Sequence, residues 1–306
     1  MKILITGGSG MVGKNLIHYL KKNQQYNLFY PSSLELNLLD YNSVKIYIRE
    51  KKPDIIIHCA GLVGGIQANI ERPYSFLSHN LIMGSNIIEA AISNKIVKLI
   101  NLGSSCMYPK DLERELDEKD ILTGKLEPTN EGYAIAKITT AKLCEYAIRE
   151  FNLDYKTIIP CNLYGKWDKF DPTNSHMIPA VIRKLYLAKN NNETVDIWGD
   201  GTARREFMYT EDLADFIHYS IINYDQLNSY TNVGLGHDYS ILDYYKEVAS
   251  VVGFKGSFKF DLTKPSGMKR KLCSINKQNK LGWKPKHTLK QGLLKTYKFY
   301  IDNYEI

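Results

Sequence analysis

Residues Lys2–Gly13 read KILITGGSGMVG, and this stretch decides the fold of the chain. It begins with a short apolar run suited to a buried strand, and the segment Met11–Lys22 then carries apolar side chains at helical spacing. Between them, Gly7, Gly10 and Gly13 form a G-x-x-G-x-x-G pattern. Glycine in this setting permits a tight turn, lets backbone N–H groups approach a pyrophosphate and lets the helix pack closely on the sheet. The stretch therefore predicts a dinucleotide-binding turn at the positive end of a helix.

The alternation of strand and helix continues to about residue 160. Short apolar runs predict further strands at Tyr26–Tyr30, Asp54–Cys59, Val97–Gly103 and Tyr155–Pro160. Amphipathic segments predict helices at Ser43–Lys51, Arg72–Asn94 and Asn130–Phe151. This order is typical of an α/β fold with a Rossmann-type, doubly wound parallel sheet. After Gly165 the segments become shorter and richer in turns. We therefore expect a Rossmann domain over residues 1–165, with 206–235 returning to it, and a smaller mixed α/β lobe over the rest of 166–306.

The composition excludes several classes of protein. Of the 306 residues, 44% are hydrophobic and 24% are charged, which excludes global disorder. The net charge of +7 comes from scattered basic residues, so nucleic acid is not an expected partner. No run approaches the ~20 apolar residues of a membrane span and no signal-peptide pattern is visible, so we expect a cytoplasmic protein. The five cysteines show no C-x-x-C spacing, which argues against a metal site and a disulfide framework.

The residues after the second strand leave the type of nicotinamide cofactor open. A carboxylate about 20 positions after the glycine turn would bind the ribose 2′-hydroxyl of NAD. Tyr30–Ser33 hold no carboxylate, which favours NADP, but they hold no arginine for a 2′-phosphate either, so NADH stays an alternative. Two interpretations of Asp40 also stay open. It either accepts a hydrogen bond from the adenine amino group or caps the helix that starts near Ser43.

A tyrosine and a lysine four residues apart, Tyr133 and Lys137, share one face of the predicted helix Asn130–Phe151. A tyrosine with a pKa near 10 exchanges protons poorly at neutral pH, but a nearby ammonium and a positive nicotinamide lower that pKa. Tyr133 could then exchange a proton with a carbonyl or alcohol oxygen while a hydride moves at the attached carbon. Ser104 follows the strand Val97–Gly103, at the sheet edge where ligands bind, and can share the same oxygen. The alternative is a surface Tyr–Lys pair, which is common by chance among 22 tyrosines.

The glycine turn, the strand-end serine and the Tyr-x-x-x-Lys pair, in this order, resemble the extended short-chain dehydrogenase/reductase superfamily. Longer stretches resemble one of its branches, GDP-L-fucose synthase, also called GDP-4-keto-6-deoxy-mannose epimerase/reductase, over essentially the whole chain. These stretches are Leu102–Lys110 (LGSSCMYPK), Leu126–Glu131 (LEPTNE), Asn162–Gly165 (NLYG), Asn174–Pro179 (NSHMIP) and Arg205–Phe207 (REF). The resemblance implies a nucleotide-sugar lobe, NADPH as reductant and a homodimer.

The resemblance also implies roles for individual residues. It implies reduction of the C4 ketone of a GDP-linked 4-keto-6-deoxy sugar, with Ser104, Tyr133 and Lys137 as catalytic residues. Cys106 and His176 would form the acid–base pair that inverts C3 and C5, since a ketone acidifies the neighbouring hydrogens and both groups can be tuned toward neutral pH. Implied cofactor contacts are Gly7, Gly8, Ser9, Gly10, Met11, Val12, Gly13, Asp40, Ala60, Leu102, Gly103, Ser104, Ser105, Tyr133, Lys137, Pro160, Asn162, Leu163 and His176. Implied substrate contacts are Asn162, Lys184, Trp198, Arg205 and Lys271, the last two at the diphosphate.

Four of these assignments have a structural alternative. Cys106 is also explained as a small buried hydrophobe, and His176 as a helix-start residue bonded to the backbone. Trp198 is also explained as a core side chain, and Lys271 as a solvated charge.

The sequence departs from the family pattern at the cofactor and at the sugar. Ser9 and Ser33 stand where relatives often carry arginines, and Lys184 replaces another usual arginine. Lys166-Trp167 stand where a Pro-His pair is typical, in a loop expected to border the sugar, so a different sugar is compatible with the sequence. One alternative function is therefore a C4-reductase without epimerisation that acts on a GDP-4-keto-6-deoxy-heptose in capsule sugar synthesis.

A second alternative function is a non-catalytic dinucleotide-sensing protein. The intact Ser104, Tyr133 and Lys137 argue against it, because a sensor needs no proton donor. A dehydratase is disfavoured, because Ser105 and Cys106 stand where that branch carries an acidic pair. UDP-sugar 4-epimerases share the Tyr–Lys pair but usually lack the cysteine and the Asn-Ser-His motif.

Overall fold

The structure is a computed structural model that describes residues 1–172, 175–189, 193–264 and 267–304. The strands in these ranges are β1 (Lys2–Thr6), β2 (Asn27–Phe29), β3 (Ile55–His58), β4 (Lys98–Leu102), β5 (Asp154–Pro160), β6 (Asn162–Tyr164), β7 (Val195–Trp198), β8 (Arg204–Arg205), β9 (Phe207–Tyr209), β10 (Tyr230–Val233), β11 (Tyr239–Ser240), β12 (Phe258–Asp261) and β13 (Arg270–Lys271). The helices are α1 (Met11–Leu20), α2 (Tyr41–Lys51), α3 (Ile66–Glu71), α4 (Pro73–Ser93), α5 (Glu131–Phe151), α6 (Met177–Ala188), α7 (Thr210–Ile222), α8 (Ile241–Val252), α9 (Asn276–Lys280) and α10 (Leu289–Tyr304).

Six parallel strands form the central sheet in the order β10-β5-β4-β3-β1-β2. Because β2 lies on one side of β1 and β3 on the other, the strand order reverses between β1 and β3. In open α/β sheets ligands bind beyond the carboxyl ends of the strands at such a switch point. The glycine turn after β1 lies at this point, so the topology places the predicted dinucleotide site where the fold favours it.

The central strands are apolar at successive positions because helices cover both faces of the sheet. Along β1, Ile3 and Ile5 belong to a core that includes side chains of α1 and α7. Leu4, between them, belongs to a second core that includes side chains of α2 and α4. Both faces of β1 are therefore buried, which explains why polar residues do not alternate with apolar ones along this strand.

The predicted Rossmann-type sheet is confirmed, and the five predicted strands and four predicted helices are all present, with ends that differ by a few residues. The largest shift at a helix start is in α2, which begins at Tyr41 rather than Ser43. Its start is moved because Asp40 occupies the N-cap and its carboxylate accepts from the Asn42 N–H at 3.0 Å.

The later part of the chain contributes to both the sheet layers and a second core. The strand β10 is the sixth strand of the central sheet, and α7 lies against the core that contains α1. A separate aromatic-rich core joins α6, α8 and α10 with the short strand pair β7–β12. The division into two domains near residue 165 stays a prediction. Within the described ranges, no helix combines the length and the apolar character needed to cross a membrane.

Candidate active site

In the turn after β1, two glycines lie in close contact with the neighbouring backbone, whereas a third has free space beside it. Gly7 has φ +71°, and a Cβ there would lie 2.6 Å from the Ala60 backbone. A Cβ on Gly13 would lie 2.2 Å from the Gly7 carbonyl oxygen. At Gly10, by contrast, a Cβ would meet only that oxygen, at 3.5 Å. The turn therefore brings strand and helix into close contact while its outer face has room for a pyrophosphate.

The amino terminus of α1 has donors to offer such a ligand. Gly10 is the N-cap and supplies no side-chain cap, so no side chain occupies the first N–H groups of the helix. Gly8, Ser9, Met11 and Val12 lie in the same turn and first helical residues. The predicted contacts after β1 are thus one continuous backbone cradle, and its chemistry fits a dinucleotide diphosphate.

The two carboxylates near the expected adenosine end both serve local structure. Asp40 caps α2, so its capping interpretation is confirmed, and its contact with adenine stays a prediction. Glu35, which sequence analysis missed, accepts from the Ser32 N–H at 2.7 Å. The turn after β2 therefore does hold a carboxylate, although Tyr30–Ser33 contain none. The S-x-x-E spacing from Ser32 to Glu35 was the available signal.

Ser104, Tyr133 and Lys137 are brought together at the carboxyl end of β4. Ser104 lies two residues after Leu102, the last residue of that strand, and its side chain is close enough to Tyr133 to lower the pKa of the phenol. The Lys137 ammonium is buried, donates to the Leu102 carbonyl at 2.8 Å and lies 5.9 Å from the centre of the Tyr133 ring. The three residues form one cluster, as the order of motifs predicts.

Burial decides how these groups titrate. It raises the pKa of Tyr133, an effect that the nearby Cys106 increases and the nearby Ser104 side chain reduces. Burial also lowers the pKa of Lys137 to about 8. Burial therefore raises the net pKa of Tyr133, and the expectation that the Lys137 ammonium together with a positive nicotinamide lowers it stays a prediction.

Two nitrogen groups approach the sulfur of Cys106, which lies in a short 3₁₀ turn at Ser105–Met107. The Asn130 Nδ2 lies 3.3 Å from Sγ and the Lys271 Nζ lies 3.5 Å from it. Lys271 is only 8% exposed, so its interpretation as a solvated charge is wrong. Asn130 was missed as a single residue, although it belongs to the quoted LEPTNE stretch and directly precedes α5.

His176 lies at the N-cap of α6, but no side-chain cap bond is formed there. The helix-start part of its alternative interpretation is therefore confirmed, and the ring makes no cap bond to α6. Burial and the charge of Lys169 lower its pKa. The preceding Ser175 carbonyl lies 2.9 Å from where a Cβ on Gly65 would be, so the loop after β3 lies against this segment. No hydrogen bond joins His176 to Cys106 in the described ranges, and Asn174 of the same motif lies outside them.

The implied substrate residues fall into two groups. Arg205 and Lys271 are register partners on β8 and β13. Burial lowers the pKa of Arg205, while the nearby Glu127 raises it. Close by, the Asn162 amide donates to the Glu206 carbonyl at 2.9 Å.

Lys184 and Trp198 form the second group, around β7. The Lys184 Nζ donates to the Asp196 carbonyl at 2.6 Å, and burial lowers its pKa. Trp198 is 48% exposed with the Lys264 Nζ 5.6 Å from its ring centre, so its interpretation as a core side chain is wrong.

Glu206 is a second residue that sequence analysis did not single out. Its carboxylate is fully buried and accepts three backbone N–H groups: Leu235 at 2.5 Å, Gly236 at 2.9 Å and Cys273 at 3.0 Å. Burial raises its pKa to about 7, against these three bonds, which lower it. Glu206 thereby ties the strand that carries Arg205 to the segment that carries Lys271. The glutamate belongs to the quoted REF stretch, but the residues that donate to it are distant along the chain, so no sequence signal indicated these bonds.

Most of the remaining implied cofactor positions lie at the carboxyl ends of central strands, at the same edge of the sheet as the glycine turn: Ala60 after β3, Gly103 and Ser105 after β4, and Pro160 at the end of β5. Leu163 lies in β6, which pairs with β9 outside the central sheet.

Known proteins place this site in a family. The profile of the NAD dependent epimerase/dehydratase family matches residues 3–236, about three-quarters of the chain. The chain belongs to this family. It is 55% identical over 304 residues to the GDP-L-colitose synthase of Yersinia pseudotuberculosis, covering 99% of this chain and 98% of that protein. It is 47% identical over 306 residues to the GDP-L-fucose synthase of Azorhizobium caulinodans, covering 100% and 98%.

A solved structure extends the likeness to three dimensions. It is the GDP-D-glycero-L-gluco-heptose synthase of Campylobacter jejuni in the presence of NADPH, with a TM-score of 0.91, 31% identity, and coverage of 98% of each chain. Membership of the epimerase/dehydratase family confirms the expected enzyme of the extended short-chain dehydrogenase type, and it sets aside the non-catalytic sensor.

Proposed function

We propose that the chain uses NADPH to reduce the C4 ketone of a GDP-linked 4-keto-6-deoxy sugar, after epimerisation at C3 and C5. The observation that carries the proposal is the cluster of half-buried Ser104 and Tyr133 with buried Lys137, beside the open glycine turn. The relatives named for GDP-L-colitose and GDP-L-fucose support the sugar class. Since C5 sets the D or L series of a hexose, an L-sugar product made from a D precursor requires inversion at that carbon.

The reduction uses a proton from Tyr133. When bound, NADPH supplies a hydride to the C4 carbon. Tyr133 donates its hydroxyl proton to the C4 oxygen, and the Ser104 hydroxyl orients the same oxygen. Lys137, held by the Leu102 carbonyl, stabilises the negative charge that Tyr133 then carries.

The epimerisation would use Cys106 and His176. A proton beside the ketone is removed by one group, and the electrons of the C–H bond move to the C4 oxygen. Return of a proton to the opposite face inverts the carbon. Cys106 follows Ser104 by two residues and its N–H donates to the Ser104 hydroxyl at 3.2 Å, which ties it to the group that orients the ketone.

The two lobes would divide the ligands between them. Residues 1–165 with 206–235 would hold the dinucleotide, and the remainder would hold the GDP sugar. Arg205 supplies a half-buried cation for the diphosphate, and Trp198 an exposed ring for stacking with the guanine.

One experiment tests the proposal. The protein is mixed with NADPH and GDP-4-keto-6-deoxy-mannose in deuterated water, absorbance is followed and the product is analysed by NMR. We expect NADPH oxidation and deuterium at C3 and C5. Oxidation without label at either carbon would leave a reductase and eliminate the epimerase step. A flat trace with mannose- and heptose-derived ketones alike would contradict the proposal as a whole.

A reductase without epimerisation acting on a heptose is the second candidate. Its support is the likeness to the heptose synthase and the unusual Lys166-Trp167 pair. Trp167 has φ +63° and its ring lies 5.8 Å from His18 of α1 and 5.9 Å from Phe299 of α10. It therefore fixes the loop that we expect to border the sugar in a particular conformation.

We also propose that the protein acts as a cytoplasmic homodimer. Large apolar side chains are exposed on the paired helices α4 and α5, namely Tyr74, Ile82, Ile135 and Tyr146. All five cysteines are free thiols, which suits a reducing compartment. Light scattering should give twice the chain mass, and a monomer would contradict this part of the proposal.

A further inference from the structure

The side chain of Lys271 is directed at a sulfur rather than at a carboxylate. Its Nζ lies 3.5 Å from the Cys106 Sγ, and Lys271 forms no salt bridge with a carboxylate in the described part of the chain. An ammonium group has only donors, so in this contact the sulfur must be the acceptor. The side chain is buried at 8% exposure, where an unbalanced positive charge is costly.

The backbone around Lys271 is held firmly on two sides. β13 pairs with β8, which places Lys271 opposite Arg205. On the other side, the Leu116 N–H donates to the Leu272 carbonyl at 2.9 Å and the Ser274 N–H donates to the Leu116 carbonyl at 3.0 Å. The Glu206 carboxylate accepts from the next N–H, that of Cys273. The position of Lys271 beside Cys106 is therefore fixed by backbone pairing, unlike that of a mobile lysine on the surface.

Cys106 is held just as firmly. Its N–H donates to the Ser104 hydroxyl, and the 3₁₀ turn that contains it is capped by the same serine. The Asn130 amide provides a second contact at 3.3 Å, from the residue before the helix that carries Tyr133. Two donors from opposite parts of the chain thus converge on one sulfur beside the ketone-binding serine.

We propose that Lys271 is a positioning residue for Cys106: its ammonium donates to the sulfur and stabilises the negative charge of the thiolate that accepts a proton from the carbon beside the ketone. This inference rests on the proposed epimerisation for its use in catalysis. In that step the thiolate electron pair forms the S–H bond, the C–H bond breaks and its electrons move to the C4 oxygen. The proton is returned from the opposite face, for which His176 is the candidate. Asn130 is the second donor to the same sulfur.

The contact differs from the diphosphate role that the family resemblance implies for Lys271. A diphosphate ligand would act on GDP binding and leave Cys106 unaffected in the free protein. A positioning residue would act on Cys106 before any nucleotide is present. The two roles are therefore separable by a measurement on the free chain.

The first test measures the reaction of Cys106 with iodoacetamide at pH 7 in the free full-length chain, followed by peptide mass mapping. Burial raises the pKa of each of the other four thiols, so Cys106 should react first. We expect Lys271→Met to slow the alkylation about three- to tenfold, because the variant loses the donor that stabilises the negative charge of the reacting sulfur. Lys271→Arg should keep most of the wild-type rate.

A matched control is available on the same strand. Arg270 carries the same charge as Lys271, but its guanidinium bonds to Asp238 at 2.5 Å. Arg270→Met should leave the alkylation rate of Cys106 within twofold of wild type, and Cys106→Ser should remove the labelled peptide. An unchanged rate in folded Lys271→Met would overturn the proposal, and so would an equal loss in Arg270→Met.

The second test separates this inference from the proposed function. In Lys271→Met, deuterium exchange at C3 and C5 should fall at least tenfold, while the dissociation constant for GDP changes less. If GDP binding weakens tenfold and alkylation does not change, Lys271 is a diphosphate ligand and the inference is wrong. If wild-type protein shows no exchange with any ketone, the epimerase proposal fails, whereas the alkylation result still decides whether Lys271 acts on Cys106.

Discussion

Two clusters for proton transfer lie side by side at the carboxyl end of β4, and they are built in different ways. Ser104, Tyr133 and Lys137 come from one strand end and one helix that packs beside it. The Cys106 cluster takes Cys106 and Asn130 from that region but Lys271 from β13, more than 160 residues further along. The first cluster is part of the sheet-and-helix framework, whereas the second exists only because the two halves of the chain fold together. Disturbing the framework should therefore affect both clusters, and disturbing the later half should affect only the second.

The largest effect is expected from the framework cluster. Tyr133→Phe removes the proton donor while keeping the ring, so kcat for NADPH oxidation should fall about 10²- to 10⁴-fold. Binding of GDP and of NADPH should change less than threefold, which isothermal titration would measure. Exchange of C3 and C5 hydrogens into deuterated water should persist, since it would depend on Cys106. A comparable loss of binding and turnover would indicate structural damage and contradict the assigned role.

A smaller effect is expected from the residue that joins the two halves. Glu206→Gln replaces one acceptor oxygen with a donor that faces a buried N–H group, either that of Cys273 or those of Leu235 and Gly236. A buried donor left without a partner costs about 1–3 kcal/mol, so the free energy of unfolding in guanidinium should fall by about 2 kcal/mol. Near-wild-type unfolding would show that Glu206 does not hold β8 and the β13 segment together.

The same variant tests whether the two clusters are independent of each other. Glu206 fixes the backbone of the segment that carries Lys271, but it makes no contact with Tyr133 or Lys137. Alkylation of Cys106 should therefore slow in Glu206→Gln more than NADPH-dependent reduction does. Asp243→Asn is a suitable control, since that carboxylate accepts from the Ser240 N–H at 3.0 Å in the capping box of α8 and its role is local. If reduction falls as far as alkylation, the two clusters are not independent.

The sequence predicted the parts of the molecule that local pattern controls. Apolar periodicity predicts β1 and α1, and the glycines between them predict a turn in which strand and helix come close together. Ser104 was found because it follows an apolar run. The contact of Lys271 with Cys106 has no local sequence signal. It depends on the pairing of β13 with β8 and on the backbone hydrogen bonds of Leu116 with Leu272 and Ser274. Family resemblance named both residues but not their contact.

The titration behaviour of the site was also beyond the sequence. Spacing placed Lys137 on the same helix face as Tyr133, but the direction of the pKa shift at Tyr133 is set by the burial of its own side chain. Trp198 illustrates the same limit, because an isolated tryptophan pattern does not distinguish a core side chain from one that is half exposed. Burial is a property of the assembled chain, so it decides those features that residue type and spacing leave open.

The smallest predicted effect is the pH dependence that Lys137 gives to activity and to stability, which should differ in direction. Burial lowers the pKa of Lys137 to about 8 from the ordinary value of 10.5, so its ammonium is lost in the folded chain as pH rises through about 8. The value of kcat/KM for reduction should therefore decline above pH 8, since the charge that supports ionised Tyr133 disappears.

Stability should change in the opposite direction over the same interval. Between about pH 8 and 10.5 the unfolded chain binds a proton at Lys137 that the folded chain does not, so the stability contributed by this group rises with pH. Lys137→Met removes both dependences, and the difference in unfolding free energy between it and the wild type, measured at pH 7, 8.5 and 10, isolates this group from other titrating residues. Below pH 8 the wild type should carry the full penalty of a buried ammonium, and the Met variant should be the more stable and the less active protein. A difference that does not vary with pH would show that Lys137 keeps its ordinary pKa, and the decline in kcat/KM would then have to come from another group.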